Sequence, residues 1–137
     1  MVKIPILTII IFVLMVSTLS CSNEPDPVDL PLEGEVTELA SEFIGKMAEE
    51  DYISAVAFFS FEMKQSMSKR RLEQTWENIL KETGSYRGEI EKYIEPLEEH
   101  DAVVVNIITE FARGPYNIRV VFNSDNRITG LRFHSVD

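Results

Sequence analysis

The sequence is poor in the residues that most often carry chemistry. It contains one cysteine, Cys21, and two histidines, His100 and His134. A single cysteine excludes an intramolecular disulfide and a cysteine-rich metal site, and the two isolated histidines form no spaced metal-binding motif. We therefore expect neither a metal nor any other cofactor.

Basic residues are scarce as well. The 13 Lys and Arg residues are outnumbered by 23 Asp and Glu residues, so the net charge is −10 at pH 7. Nucleic acids and anionic membrane surfaces attract Lys and Arg. The charge balance therefore argues against nucleic acid as a partner and against a domain that lies flat on anionic lipid.

The most apolar stretch, at the N-terminus, is too short to span a bilayer. Ile4–Val16 contains 13 uncharged and mostly apolar residues. A helix of that length reaches about 20 Å, against the ~30 Å of a hydrocarbon core. Lys3 precedes the run, and the small residue Ser20 stands immediately before Cys21. This order is typical of a cleaved secretory signal peptide.

The position of Cys21 makes the segment more specific, because residues 1–20 resemble a prokaryotic lipoprotein signal peptide. In such proteins the cysteine becomes the new N-terminus and is diacylated. The resemblance implies lipidation of Cys21, membrane attachment through it, and a place on the outer side of the cytoplasmic membrane or on an outer membrane. An uncleaved anchor and an ordinary signal peptide with a chance cysteine remain the alternatives.

The residues after Cys21 predict a tether followed by one domain. Residues 22–33 hold three prolines and four acidic residues, a composition that favours extended, self-repelling chain. We expect residues 21–33 to hold a single domain, residues 34–137, away from the membrane.

The first half of this domain has helical periodicity. One apolar stripe predicts a first helix: Val36, Leu39, Ala40, Phe43, Ile44 and Met47. Asp51 is the expected N-cap of a second helix with Ile53, Val56 and Phe59 inward, and Ser60 is expected to cap one further turn. Ser68 is expected to cap a third helix that carries Trp76 and ends at Gly84.

After Gly84 the period changes to two, which predicts four strands: Tyr86–Glu95, Ala102–Ala112, Tyr116–Phe122 and Ile128–Phe133. The first, an edge strand, is expected to turn Tyr86, Ile90 and Ile94 inward. Odd positions of the second strand and even positions of the third are apolar, which demands a hairpin loop of two or four residues. A bulge is expected at Thr129-Gly130. The fold class is therefore α+β, with about three helices on one face of a four-stranded antiparallel curved sheet.

This pattern resembles a known family. The stretches LASEFIGKMAEEDYISAVAFFSFEMKQSM, LEQTWENILKETGSY and YNIRVVFNSDNRITGLRF are similar to the nuclear-transport-factor-2-like (cystatin-like) cone, and within it to family 3887 of the domains of unknown function. The resemblance spans residues 36–134. The resemblance implies that the protein is a free-standing secreted lipoprotein or a module of the kind that precedes hydrolase domains. No catalytic residues are established for the family, so the resemblance supplies none.

The predicted interior lacks a catalytic base, so we expect a binding or interaction module rather than an enzyme. The inward sheet positions are apolar, aromatic or Thr109, and the acids Glu89, Glu91 and Glu110 are expected on the outer face. Some cone-shaped relatives are isomerases or dehydratases, which need a buried carboxylate or histidine. An inward Glu89 or Glu91 would restore that alternative.

Two surfaces are candidates for binding. The aromatic residues are expected mainly as core, but some of them define a possible pocket for a small apolar ligand: Tyr52, Trp76, Phe111 and Tyr116. The outer sheet face is a possible homodimer or partner interface through Val104, Ile108, Arg119 and Val121. On that face Arg119 either pairs with Glu110 or faces solvent. The basic run Lys69–Arg71 at a helix start is a solvated surface or a contact for an acidic partner.

Overall fold

The computed structural model describes residues 33–95 and 101–137. The predicted signal peptide, Cys21, nearly all of the tether and His100 lie outside these residues. Within them, four helices precede four strands: α1 Glu33–Ala48, α2 Tyr52–Val56, α3 Phe61–Ser66, α4 Lys69–Thr83, β1 Tyr86–Glu95, β2 Val103–Phe111, β3 Gly114–Phe122 and β4 Ile128–Ser135. The strands form one antiparallel sheet in the order β1-β2-β3-β4. The predicted α+β class is confirmed.

Side-chain caps define the helix starts. The Asp51 carboxylate accepts a hydrogen bond from the Ser54 amide at 3.1 Å. Hydrogen bonding to Ser54, through its side chain and then through this amide, lowers the pKa of Asp51. The hydroxyls of Ser60 and Ser68 accept from the amides of Met63 and Arg71 in the same way. Each such cap stabilises a helix by about 1 kcal/mol. The turn predicted after Ser60 is thus a separate helix, α3.

The inward face of α2 differs from the prediction at one residue. Ile53 is 71% exposed, whereas Tyr52, Ala55 and Phe59 are buried. Tyr52, Ala55, Val56 and Phe59 follow the i, i+3, i+4, i+7 spacing of one helix face, and Ile53 falls beside that face. The prediction of an inward Ile53 was wrong because the stripe begins one residue earlier.

The β2–β3 hairpin agrees with its predicted alternation. Phe111 pairs with Gly114, so the loop is the two residues Ala112 and Arg113. The side chains that face the helices form the core together with the apolar stripes of α1 and α4: Val105, Ile107, Phe111, Ile118, Val120 and Phe122.

Strand β1 changes phase twice, and neither change was predicted. Its register shifts between Tyr86 and Gly88 and again between Glu89 and Glu91. Each bulge inserts an extra residue and moves the following side chains to the other face. Ile90 is therefore 59% exposed rather than inward, and Glu89 pairs with the inward residue Thr109.

As a consequence, Glu89 faces the helices and not the outer side as predicted. Its carboxylate accepts a hydrogen bond from the Ser41 hydroxyl of α1 at 3.0 Å, and Lys92 Nζ donates to the same hydroxyl at 2.8 Å. The Glu89 side chain remains a quarter exposed. The contact joins α1 to the β1 edge at the rim of the helix layer.

A third bulge lies in β4, and its prediction is confirmed. Val121 pairs with Gly130 and Phe122 with Ile128, which leaves Thr129 as the extra residue. Ile128 also exchanges backbone hydrogen bonds with Phe58 and Ser60, at 2.8 and 2.9 Å. These bonds fasten the α2–α3 junction to β4 and place α3 beside this edge of the sheet.

Candidate binding groove

An aromatic cluster lies between α4 and the inner face of the sheet. Its centre is Trp76, whose ring centroid lies 5.8 Å from Phe111, 6.0 Å from Tyr86 and 6.4 Å from Phe133. Tyr116 joins it through Phe111 at 6.0 Å. The cluster is therefore Trp76, Tyr86, Phe111, Tyr116 and Phe133.

The cluster unites three of the four predicted ligand-binding residues in a packed interior. Trp76 and Phe111 are each 1% exposed, so neither offers a surface to a ligand in this conformation. The fourth, Tyr52, lies on α2, where burial and then the charges of Glu50, Glu73 and Glu77 raise its pKa. Whether these four residues bind a ligand stays a prediction.

The polar groups of this interior are either hydrogen-bonded within the protein or uncharged at neutral pH. The Thr109 hydroxyl donates to the Tyr116 carbonyl at 2.8 Å. Burial and the charge of Glu89 raise the pKa of Tyr86 to about 12. Its phenol therefore stays protonated at neutral pH and is unsuited to act as a base.

An open groove begins where the aromatic cluster ends. Its volume is about 430 Å³, and it runs between α4 and the ends of β3 and β4. We call it the α4–β4 groove; its lining residues are Met67, Thr75, Asn78, Ile79, Glu82, Tyr116, Leu131, Arg132, Phe133 and His134. Two members of the aromatic cluster, Tyr116 and Phe133, belong to its wall.

The lining of this groove combines apolar contact area with polar groups at its margin. Met67, Ile79 and Leu131 supply aliphatic surface, whereas Arg132 and His134 alternate with inward residues along β4. Such a surface suits a ligand with an apolar body and a few polar groups. Because the groove is open to water, it lacks the dry surroundings that tune a general acid or base.

Of the residues that line this groove, only Tyr116 was among the four predicted ligand-binding residues. Thr75, Asn78 and Glu82 share one side of α4 by their i, i+3, i+7 spacing, which is the signal that points to them. Met67 and Arg132 carry no comparable signal, because they meet only through the attachment of the α2–α3 junction to β4.

Comparison with known proteins identifies a family for the chain. A family described as "Protein of unknown function (DUF3887)" matches residues 40–131. The chain belongs to this family. No curated protein and no solved structure matches it. The DUF3887 match contains most of the groove lining and ends at Leu131, just before Arg132, Phe133 and His134.

The outer sheet face of this DUF3887 protein carries a polar network. The Glu95 carboxylate accepts from Arg119 Nε and from Asn106 Nδ2, both at 3.2 Å, and Asn117 Nδ2 donates to Asn106 Oδ1 at 3.1 Å. The hydrogen bonds from Arg119 and Asn106 lower the pKa of Glu95. Arg119 thus pairs with Glu95 rather than with Glu110, which lies opposite Pro115.

The four predicted interface residues share this outer face but differ in exposure. Val104 pairs with Val121 across β2 and β3, yet Val104 is fully buried. Ile108, Arg119 and Val121 are half-buried. Asn117 Oδ1 is buried without a hydrogen-bond partner, which leaves one acceptor at the centre of the face unsatisfied.

Two features are absent from the part of the chain that the structure describes. Among residues 33–95 and 101–137, no helix is long and apolar enough to cross a membrane. The same residues contain no group of three or more His, Cys, Asp or Glu side chains arranged to hold a metal ion.

Proposed function

We propose that this DUF3887 protein is a lipid-anchored, non-catalytic binding module that acts outside the cytoplasmic membrane. The signal-like residues 1–20, the following Cys21 and the acidic, proline-rich tether support the anchor. Four helices followed by an antiparallel meander support a nuclear-transport-factor-2-like cone as the fold of the domain.

The site that best fits this function is the α4–β4 groove. The carrying observation is that aromatic side chains fill the space between helices and sheet, while the open groove beside them keeps Tyr116 and Phe133 in its wall. A small apolar ligand therefore binds in the groove and not inside the cone. This proposal moves the predicted pocket for a small apolar ligand from the interior beside Trp76 to the groove.

The geometry favours binding over catalysis of the isomerase type. Such a reaction needs a carboxylate aimed into an enclosed pocket. Glu89 is turned towards the helices, but Ser41 holds its carboxylate at the rim, and Glu91 lies opposite the outward residue Ile108.

Native mass spectrometry of the full-length protein, purified from the cells that make it, tests the groove. We expect a small molecule that is retained in the folded protein and released on denaturation. Asn78→Phe places a bulky side chain in the groove and should abolish retention. Glu77→Phe, at an equally exposed neighbour on α4 outside the groove, should preserve it. An empty wild-type protein, or equal retention by both variants, would contradict a groove ligand.

A second candidate function uses the outer sheet face to bind a protein partner or a second copy. The unsatisfied acceptor Asn117 Oδ1 favours it, because a donor from a partner would complete that hydrogen bond. Tyr93, 45% exposed, supplies contact area on the same face. Light scattering of the purified protein should then show a dimer or complex that Ile108→Asp dissociates; a wild-type monomer that captures no partner would exclude it.

The lipid anchor has its own test. Metabolic labelling with radioactive palmitate should mark the wild-type protein and not Cys21→Ser, and only the labelled form should sediment with membranes. A wild-type protein that attaches to membranes without label would show an uncleaved anchor instead.

A further inference from the structure

A second groove, lined by arginines, adjoins the α4–β4 groove. Its volume is about 530 Å³, and it wraps around the β4 edge from α3 to the outer sheet face. Three of the chain's 13 basic side chains line it: Arg71, Arg119 and Arg132. None of its lining residues, all of which the structure describes, is Asp or Glu. We call it the arginine groove.

Two of these arginines stand directly opposite each other. Arg119 on β3 pairs with Arg132 on β4, and both side chains lie on the outer face. Directly opposed residues in an antiparallel pair bring their Cβ atoms to about 5 Å, and like charges in such pairs destabilise a sheet. Glu95 neutralises Arg119 from the β1 side at 3.2 Å, whereas Arg132 lies on the opposite side, towards the groove.

The third arginine is also in an electrostatically poor position. Arg71 lies in the first turn of α4, where the helix dipole disfavours a cation. Its Nη1 donates to the Ser66 carbonyl at 3.3 Å, a contact that directs the side chain back towards α3. Three guanidinium groups thus surround one open space although the chain carries a net charge of −10.

An anion in this space would relieve two unfavourable features: the like-charged pair Arg119 and Arg132, and the cation Arg71 at the start of α4. It would screen the Arg119–Arg132 repulsion and give Arg71 a counter-charge beside the helix. Guanidinium groups offer paired N–H donors that match the oxygen atoms of phosphate and carboxylate groups. The Ser66 and Thr129 hydroxyls in the same lining already donate to the Met63 and Val121 carbonyls, so the arginines are the donors offered to an anion.

The two grooves form one continuous surface, because Met67, Leu131 and Arg132 line both. We propose that the arginine groove binds the phosphate or carboxylate group of an amphiphilic ligand whose apolar body lies in the α4–β4 groove. The proposal rests on the proposed function, which it deepens by naming the ligand class. The anionic group comes either from a membrane lipid or from a soluble molecule.

Calorimetric titration of the full-length protein in nanodiscs of uncharged lipid tests the proposal, with empty discs as the baseline. The probes are 1-naphthyl phosphate, 1-naphthol, which lacks the anion, and inorganic phosphate, which lacks the apolar body. We expect 1-naphthyl phosphate to bind at least about tenfold more tightly than either.

Variants assign the anion to the arginines. Arg132→Gln and Arg71→Gln should each weaken binding of 1-naphthyl phosphate by about tenfold, the value of one lost charge-assisted contact. Because Arg71 lines the arginine groove but not the α4–β4 groove, Arg71→Gln should leave binding of 1-naphthol unchanged. Arg132→Lys should recover part of the loss, because it keeps the charge but not the paired donors. Arg70→Gln, an exposed neighbour outside the groove lining, is the matched control and should bind like the wild type.

The outcomes separate this inference from the proposed function. Equal binding of 1-naphthol and 1-naphthyl phosphate, or no effect of the two Gln variants, would overturn the anion site and leave the apolar groove standing. Failure of both naphthyl compounds to bind would overturn the groove itself. In nanodiscs that contain phosphatidylglycerol, loss of 1-naphthyl phosphate binding would identify lipid as the source of the anion, and undiminished binding would identify a soluble ligand.

Discussion

The aromatic cluster and the two grooves beside it share residues but obey different physical rules. Trp76 and Phe111 are excluded from water and stabilise the fold by packing. Arg71 and Arg132 are exposed and occupy positions that electrostatics alone would not favour. The proposed function therefore places stability and recognition on different residues, and it predicts substitutions that damage one and spare the other.

The largest effect should come from emptying the aromatic cluster. Trp76→Ala removes the ring that contacts Tyr86, Phe111 and Phe133, and we expect a loss of about 3–5 kcal/mol in the free energy of unfolding. Phe61→Ala, at an aromatic residue that is 71% exposed, should cost less than about 0.5 kcal/mol. Urea unfolding followed by circular dichroism measures both. Equal stability of the two variants would mean that the cluster is not the core.

A smaller effect should follow at the junction between the helices and the sheet. Gly84 has φ = 79°, and an added Cβ would lie 2.8 Å from the Ala112 side chain. Gly84→Ala should therefore cost about 1–3 kcal/mol. Gly45→Ala is the matched control, because its Cβ meets nothing within 4 Å and alanine is the better helix former by about 0.5–1 kcal/mol. The two substitutions should shift the denaturation midpoint in opposite directions; a shared direction would contradict this account of Gly84.

The elements also differ in how well their structure could be predicted from the sequence. The β2–β3 hairpin was predictable because its alternation is unbroken and its loop length agrees with it. The face of Glu89 was mispredicted because the first bulge in β1, between Tyr86 and Gly88, changes the phase before it. Gly88, an isolated strand glycine with φ = 142°, is the signal that marks this bulge, whereas the second bulge has no glycine. Ile53 was misplaced because α2 is only five residues long, and one helical turn of periodicity leaves the inward face ambiguous.

The grooves were largely unpredictable for a different reason. Arg71, Arg119 and Arg132 are far apart in sequence and meet only through the register of β3 with β4 and the attachment of the α2–α3 junction to β4. Sequence periodicity identified most of the core aromatic residues as buried and was wrong for Phe61, which is 71% exposed. It carried no information about which polar residues surround the space beside them.

The ionisation of Tyr86, in the aromatic cluster, predicts how the stability of the fold depends on pH. The pKa of Tyr86 is raised to about 12 in the folded state, above the ~10 of an unfolded chain. Its contribution to stability is therefore complete below about pH 10 and is lost as the pH rises towards 12. Thermal melting across this range should show a declining midpoint, with a shallower decline in Tyr86→Phe. An identical decline in the variant would mean that Tyr86 is not the group responsible.

The smallest expected effect distinguishes recognition from stability most sharply. Arg132→Glu replaces a like-charged pair with an opposite-charged one across β3 and β4, and it should raise the free energy of unfolding by about 0.2–1 kcal/mol. The same variant should lose binding of 1-naphthyl phosphate. Thermal melting and titration of one preparation measure stability and binding together. A less stable Arg132→Glu variant, or one that still binds 1-naphthyl phosphate, would contradict the assignment of Arg132 to binding rather than stability.

The measurement that tests the central claim most directly is a nuclear magnetic resonance titration of the full-length protein in nanodiscs with 1-naphthyl phosphate. The single tryptophan gives one indole N–H signal that reports on the cluster, and backbone amides report on the grooves. We predict that the shifts concentrate at residues 66–82 and 128–135 and at the β3 residues that line the grooves, Tyr116, Arg119 and Val121, with a much smaller change at the Trp76 indole. A dominant change at the Trp76 indole and at the inward residues Ile107 and Val120 would show that the ligand enters the space between helices and sheet, and would contradict the separation of core from site.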